Sequence, residues 1–150
     1  MNTSQISRCG KLLVQYQLLK LGITSKPTAK ESGTHLIAFF RGSKQPVTIQ
    51  VAANEAPKPG GGKGSLALDW WIADGCQAEL YALVDLSTDR VWLLTKAEVA
   101  ELAQQHSSDR YHLHMYVDPD AKPRGERPAI QVDFEPHLLK RKAGFLLGAM

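Results

Sequence analysis

Strict alternation of apolar side chains in one segment constrains the fold of this chain more than any other feature. In residues 47–53 every second position is apolar, which is the period of a strand buried on one face. Residues 35–41 before it are apolar and aromatic, as buried strands are, and residues 42–46 between them are typical of a turn. The two segments predict an antiparallel hairpin in which Ile49 and Val51 face the core.

A helix is predicted on the amino-terminal side of this hairpin. Residues 5–21 repeat apolar side chains at three- and four-residue intervals. Thr3 or Ser4 is expected to cap the start of the helix, and Gly22 suits the left-handed position at its end. Residues 26–32 are polar, which favours a loop or an edge strand.

Further elements follow the hairpin. Thr95 and Glu98 form a capping-box sequence, which predicts a helix from 96 to about 106. The remaining predicted elements are strands at 79–86, 90–94 and 111–117, a strand or helix at 66–73, an exposed loop at 118–128 and a C-terminal helix opening at Pro136. This order predicts a single α/β domain over 1–150, with a central mixed sheet flanked by helices.

Composition sets the class of protein. A chain of 150 residues with 43% apolar and 22% charged content fits one soluble domain with a real core. No apolar run is long enough for a membrane span, and no secretory signal is expected. Cys9 and Cys76 are far apart and match no metal spacing, so we expect two reduced thiols in a cytoplasmic protein.

Charge is divided unevenly along the chain. Residues 1–64 hold nine Lys or Arg against two Asp or Glu, and residues 65–121 hold three against ten. A basic amino-terminal half could form a surface that faces phosphates. The alternative is that both signs mix on the folded surface.

The segment from Pro57 to Gly64 is rich in glycine, contains two lysines and is expected to be flexible. It is not a nucleotide-binding P-loop, since Pro57 stands where that loop needs Gly and Gly64 follows Lys63 where it needs Ser or Thr. Two interpretations remain: a cationic loop that contacts a DNA backbone, or a plain connection. The candidate nucleic-acid contacts in this half are Arg41, Lys44, Lys58 and Lys63.

Histidine and tryptophan supply weaker candidates. His112 and His114 fall on one side of a predicted strand and could bind a transition metal, although no third ligand has a recognisable spacing. Packed or surface histidines are the alternative that we favour. The tryptophans at 70, 71 and 92 could stack on bases, but their apolar surroundings favour core packing.

The hairpin and the first helix together resemble the PD-(D/E)xK, restriction-endonuclease-like nucleases, in particular Holliday-junction-resolvase-like and intron-encoded enzymes. In that pattern a helix GE-x-x-V-x-x-x-L-L-x-x-G precedes G-x-D-L-I-A and then I-Q-V-K. Here the three pieces are residues 10–22, 33–38 and 49–52, and the resemblance extends over 5–106. It implies a restriction-endonuclease-like fold and contact with DNA.

The polar positions of the pattern differ. The helix Glu slot holds Lys11, the Asp slot holds His35 and the Lys slot holds Ala52, so that only Gln50 is retained. Such nucleases hold Mg²⁺ on carboxylate oxygens beside the scissile phosphate, while the Lys stabilises developing negative charge. We therefore expect His35 and Gln50 to face a cleft whose metal site is degenerate, with no cofactor.

Three functions follow from this resemblance. The leading hypothesis is a pseudoenzyme that contacts DNA without cutting it. The second is an active Mg²⁺- or Mn²⁺-dependent endonuclease with relocated ligands, for which Glu31, Glu55 and Asp69 are the candidates. The third is a protein-interaction module that kept only the fold. Whether the chain is a monomer or a homodimer is left open.

Overall fold

Two β-sheets and three α-helices form the part of the chain that the computed structural model describes, which is residues 1–28, 35–60 and 64–149, with side chains as far as Gly144. The helices are α1 (Thr3–Lys20), α2 (Lys96–Leu102) and α3 (Leu139–Ala149), and a 3₁₀ helix spans Gln131–His137. The strands are β1 (Thr24–Pro27), β2 (Leu36–Phe39), β3 (Val47–Asn54), β4 (Lys58–Pro59), β5 (Leu66–Ala73), β6 (Leu80–Asp85), β7 (Arg90–Thr95), β8 (Gln105–Ser107) and β9 (Arg110–Tyr116).

The first sheet has the order β1-β2-β3-β6-β7. β3 and β6 run parallel and the other neighbours run antiparallel, so the predicted mixed sheet flanked by helices is confirmed. The β2–β3 hairpin is confirmed too, with Leu36 opposite Ile49. Ile49 and Val51 are buried beneath α1, as the alternation predicts.

A second sheet, of order β4-β5-β9-β8, packs on the other side of the first one. Residues 66–73, which the sequence left open between strand and helix, form β5 in this sheet. Its residues Leu68, Trp70 and Ile72 are buried and alternate with exposed ones. Together with Tyr81 and Trp92 they build a second apolar core between the two sheets.

The ends of α1 are set by local hydrogen bonds. Asn2, and not Thr3 or Ser4, is the cap: it forms a capping box with Gln5, in which each side chain accepts the other's backbone N–H. The predicted glycine end is confirmed. Gly22 has φ +81°, and its N–H donates to the Leu19 carbonyl, a geometry that residues with a Cβ rarely adopt.

Two predicted helices differ from those observed. The Thr95–Glu98 capping box is confirmed, but α2 ends at Leu102 and not near 106, because Gln105–Ser107 pair with β9 as strand β8. Pro136 does not open the last helix, since it lies inside the 3₁₀ segment and α3 begins at Leu139.

A charged contact joins α2 to α3. The Lys142 ammonium donates to Glu98 Oε1 at 2.6 Å, and His137 Nδ1 lies 3.3 Å from Glu98 Oε2. Glu98, the second member of the α2 capping box, therefore also contacts α3. None of the helices in the described part of the chain has the length and apolar content that a membrane crossing needs.

Candidate functional site

The hairpin register places His35 directly beside Gln50. The His35 N–H donates to the Ile49 carbonyl at 3.0 Å, and the Val51 N–H donates to His35 Nδ1 at 3.1 Å. One nitrogen of the imidazole therefore accepts a hydrogen bond from the backbone of β3. Two of the residues that the resemblance singled out thus lie on adjoining stretches of backbone.

His35 is a weak base in this position. Burial lowers its pKa below the ordinary value of 6.5, and the nearby positive charge of Lys11 lowers it further. The ring is consequently neutral at pH 7. Lys11 comes next to Gly10, where α1 approaches β3 so closely that a Cβ would stand 2.7 Å from the Ala53 Cβ.

Gln50 and Ala52 line a cavity of about 410 Å³ between β3 and the end of β5. Trp71 and Tyr81 also line it. The Gln50 Oε1 atom is shielded from solvent and accepts no hydrogen bond from the described residues. His35 is not among the lining residues, so its side chain and that of Gln50 have different surroundings.

The side chains at the four polar positions of the nuclease pattern do not fit a magnesium ion. These positions are Lys11, His35, Gln50 and Ala52. Mg²⁺ prefers an octahedron of oxygens that includes carboxylates, whereas the slots provide an ammonium, an imidazole, an amide and a methyl group. Within the described ranges, no three His, Cys, Asp or Glu side chains come together as a metal site would require. The chemistry of the slots is therefore that of a polar surface without an anionic centre.

The carboxylates proposed as relocated ligands have separate surroundings. Asp69 lies in a groove beside Ala52, and its Oδ2 is 3.1 Å from His112 Nε2. Glu55 accepts a hydrogen bond from the Met1 ammonium at 3.2 Å. Glu31 lies outside the described residues.

The exposed face of the second sheet holds a row of aromatic and basic side chains. The Trp71 ring stacks on His112 at 4.0 Å between centroids and 6° between planes, and the Arg110 guanidinium lies 4.6 Å from the Trp71 centroid. His114 follows at 5.7 Å from His112, on the same face as predicted. Burial, and then the charge of His112, lower the pKa of His114.

The prediction that all three tryptophans pack in the core is correct for two. Trp70 and Trp92 are buried, in edge-to-face contact at 5.9 Å, but Trp71 is 46% exposed. Two adjacent tryptophans on a strand must point to opposite faces of the sheet. That alternation was the signal that could have placed Trp71 outside the core.

The basic candidates do not form one cluster. Lys58 lies on β4 opposite Ala67, so it belongs to the same sheet as Trp71 and Arg110. The turn that holds Arg41 and Lys44 is at the other end of β3, a strand of eight residues that spans about 26 Å. Lys63 lies outside the described residues.

The fold of this chain is similar to that of a bacterial homing endonuclease, I-Ssp6803I. The two structures agree with a TM-score of 0.63 over 99% of this chain and 93% of that chain, at 12% sequence identity. No protein-family model matches the sequence, and no curated protein does. The chain has an endonuclease-like fold, and its membership of the PD-(D/E)xK superfamily stays a prediction.

Proposed function

We propose that this protein binds DNA on an endonuclease fold of the PD-(D/E)xK type and does not cleave it. The observation that supports this most is the likeness to a homing endonuclease over nearly the whole of both chains. The residues Lys11, His35 and Ala52 support the absence of cleavage. They stand where the nucleases that this chain resembles have the carboxylates and the lysine on which metal-dependent cleavage depends.

Phosphate contact is assigned to basic residues of the second sheet and of the β2–β3 turn. Lys58 and Arg110 are exposed on the sheet that carries the stacked Trp71 and His112, and the carboxylate in this row, Asp69, is paired with His112. Arg41 and Lys44 are proposed contacts at the far end of β3, within reach of a duplex that spans the strand.

Salt dependence tests the binding. A labelled duplex followed by fluorescence anisotropy should lose affinity steeply between about 50 and 200 mM salt, because phosphate contacts release counterions. Lys58→Glu and Arg110→Glu should each lower the slope of log affinity against log salt by about one. Lys140→Glu, at an exposed position of α3, changes the net charge equally and should have little effect. Absence of binding at low salt would refute the proposal.

Nicking of supercoiled plasmid tests the chemistry. We expect no cleavage of duplex, nicked or branched DNA with Mg²⁺ or Mn²⁺, because no slot offers a carboxylate to the metal. Metal-dependent nicking by the purified protein would contradict this half of the proposal, and nicking that survives His35→Ala but disappears with Glu55→Ala or Asp69→Ala would show a relocated site.

A relocated active site is the second candidate function, and one observation favours it. Asp69 lines the groove that also holds Ala52, the position where the resembling nucleases place their lysine. If the protein cuts, Asp69→Asn should abolish cleavage. The matched control Asp74→Asn, which also removes a carboxylate paired with a histidine, should leave it unchanged.

A protein-interaction module is the third. α1 exposes Leu12, Tyr16 and Leu19 to 56%, 58% and 61% along one side, which is more apolar surface than a helix facing only solvent usually shows. If the protein binds no DNA and Leu12→Glu abolishes binding of a protein partner, the interaction-module function would replace DNA binding as the preferred one.

A further inference from the structure

The cavity beside Gln50 is lined by two of the four positions in the nuclease pattern, Gln50 and Ala52, yet none of its lining side chains is charged. In the described part of the chain, ten residues line it, and all ten have neutral side chains. They come from strands β3, β5 and β6 and from the loop after β5. The Lys96 ammonium next to the cavity already donates to the Cys76 carbonyl at 3.1 Å. A phosphate group or a cation would lose its hydration inside, with no opposite charge among the lining side chains. The cavity is therefore suited to a neutral ligand.

The size and lining of the cavity indicate which class of neutral ligand it fits. About 410 Å³ lies within the range of roughly 300–1,000 Å³ for small-molecule sites. Two aromatic side chains, Trp71 and Tyr81, and the aliphatic Leu83 provide apolar walls, and Gln50 and Gln77 provide amides. Extruded nucleobases are held in this way, between aromatic or apolar groups and with hydrogen bonds to the polar edge of the base.

Gln50 indicates which edge of a ligand the cavity needs. Its Oε1 is buried and accepts nothing from the described residues, which is costly for an amide oxygen. The last torsion of Gln is broad, so the amide turns toward a ligand at small cost. An amide presents one acceptor and one donor side by side, which matches the N6 amino group and the neighbouring ring nitrogen of adenine.

Ala52 and Trp71 lie where the cavity meets the adjoining groove, since both residues line both spaces. A lysine at position 52 would fill the space next to Trp71, and the alanine leaves it open. Trp71 lines both this cavity and the adjoining groove, and it belongs to the same sheet as Lys58 and Arg110. A DNA strand on that sheet would pass the mouth of the cavity.

We propose that the cavity binds an unpaired nucleobase, preferentially adenine, with Gln50 reading its polar edge and Trp71 packing against it at the mouth. This inference deepens the proposed function and rests on it for the DNA strand that delivers the base. Binding of the base itself depends only on the cavity.

Comparison of two duplexes tests the inference. A duplex with one bulged adenine should bind about tenfold tighter than the same duplex fully paired, the order expected from one bidentate contact or one stacked base. A bulged thymine should gain less. Gln50→Leu and Trp71→Ala should remove the preference for the bulge and keep affinity for the paired duplex. Gln45→Leu changes an exposed amide in the β2–β3 turn and should preserve the preference.

Free deoxyadenosine separates the two proposals. It should quench the emission of exposed Trp71 and show saturation transfer in NMR spectra, both lost in Gln50→Leu, while deoxyribose 5-phosphate should do neither. Equal affinity for bulged and paired duplexes, with no nucleoside binding, overturns the cavity and leaves DNA binding standing. Nucleoside binding by a protein that ignores every duplex supports the cavity and overturns the proposed function.

Discussion

Single residues separate this chain from the metal-dependent nucleases that its sequence resembles. His35 occupies the position where the resembling nucleases carry Asp, and Ala52 the position of their Lys. Neither replacement is forced by packing: His35 is half-buried with its Nδ1 bonded to β3, and Ala52 borders open space. The scaffold therefore leaves room for the residues that cleavage needs.

Restoring the polar pattern should restore metal binding. We expect His35→Asp combined with Ala52→Lys to bind Mg²⁺ and to nick plasmid, because the first change adds a carboxylate at the backbone position beside Gln50 and the second adds an ammonium at the cavity wall. Each single variant should remain inactive. Calorimetric titration with Mg²⁺ checks binding, and a folded double variant that ignores Mg²⁺ would show that the slots are wrongly assigned.

Gln50 should lower the free energy of unfolding of the protein. Gln50→Leu removes a buried acceptor without a partner among the described residues and keeps nearly the same volume, so the free energy of unfolding should rise by about 1 kcal/mol. Urea unfolding measures it, with Gln45→Leu as the exposed control. A decrease would mean that the amide is satisfied in solution.

At the scale of elements, α1 and β3 touch through Gly10. A Cβ there would stand 2.7 Å from the Ala53 Cβ, on a rigid strand that has no flexible end to move away. Alanine favours a helix interior over glycine by about 1 kcal/mol, whereas overpacking costs typically about 1–3 kcal/mol. The steric term is the larger one.

Gly10→Ala should therefore destabilise the protein, and Gly144→Ala should not. Gly144 lies in α3, and an added Cβ would meet no described atom within 4 Å, so its replacement should gain up to about 1 kcal/mol from propensity alone. Thermal unfolding of both variants checks the signs. Ala53→Gly added to Gly10→Ala should recover most of the loss, and failure to do so would place the clash elsewhere.

At the scale of the whole molecule, partly buried histidines link folding to pH. Burial is the main cause that lowers the pKa values of His35, His114 and His137. Burial alone would raise the pKa of Glu98, but hydrogen bonds from Lys142 and Thr95, together with the Lys142 charge, lower it on balance. All four shifts have the same consequence in acid.

Stability should fall as the pH falls. Between the lowered histidine pKa values and the ordinary 6.5, the unfolded chain binds more protons than the folded one, so acid favours unfolding. Glu98, whose pKa is also lowered, adds to the loss below its ordinary 4.5. Urea unfolding at several pH values from about 7.5 downward should show a monotonic decrease, which His114→Gln should flatten near pH 6. A constant free energy of unfolding over this range would contradict it.

Local chemistry alone determined much of this protein. The capping box at Thr95, the glycine end of α1 and the faces of the β2–β3 hairpin all depend on residues close together in sequence, and each was predictable. The same alternation also predicted that Gln50 turns away from the core of Ile49 and Val51.

Only the tertiary structure decided what Gln50 turns toward. Period-two alternation states which residues share a face but not which distant strand covers it. The pairing of Asp69 with His112, 43 residues apart, and the end of α2 at Leu102 both follow from the second sheet. Packing of that sheet on β3 creates the neutral cavity and exposes Trp71, because non-local pairing depends on the burial of whole faces rather than on any single segment.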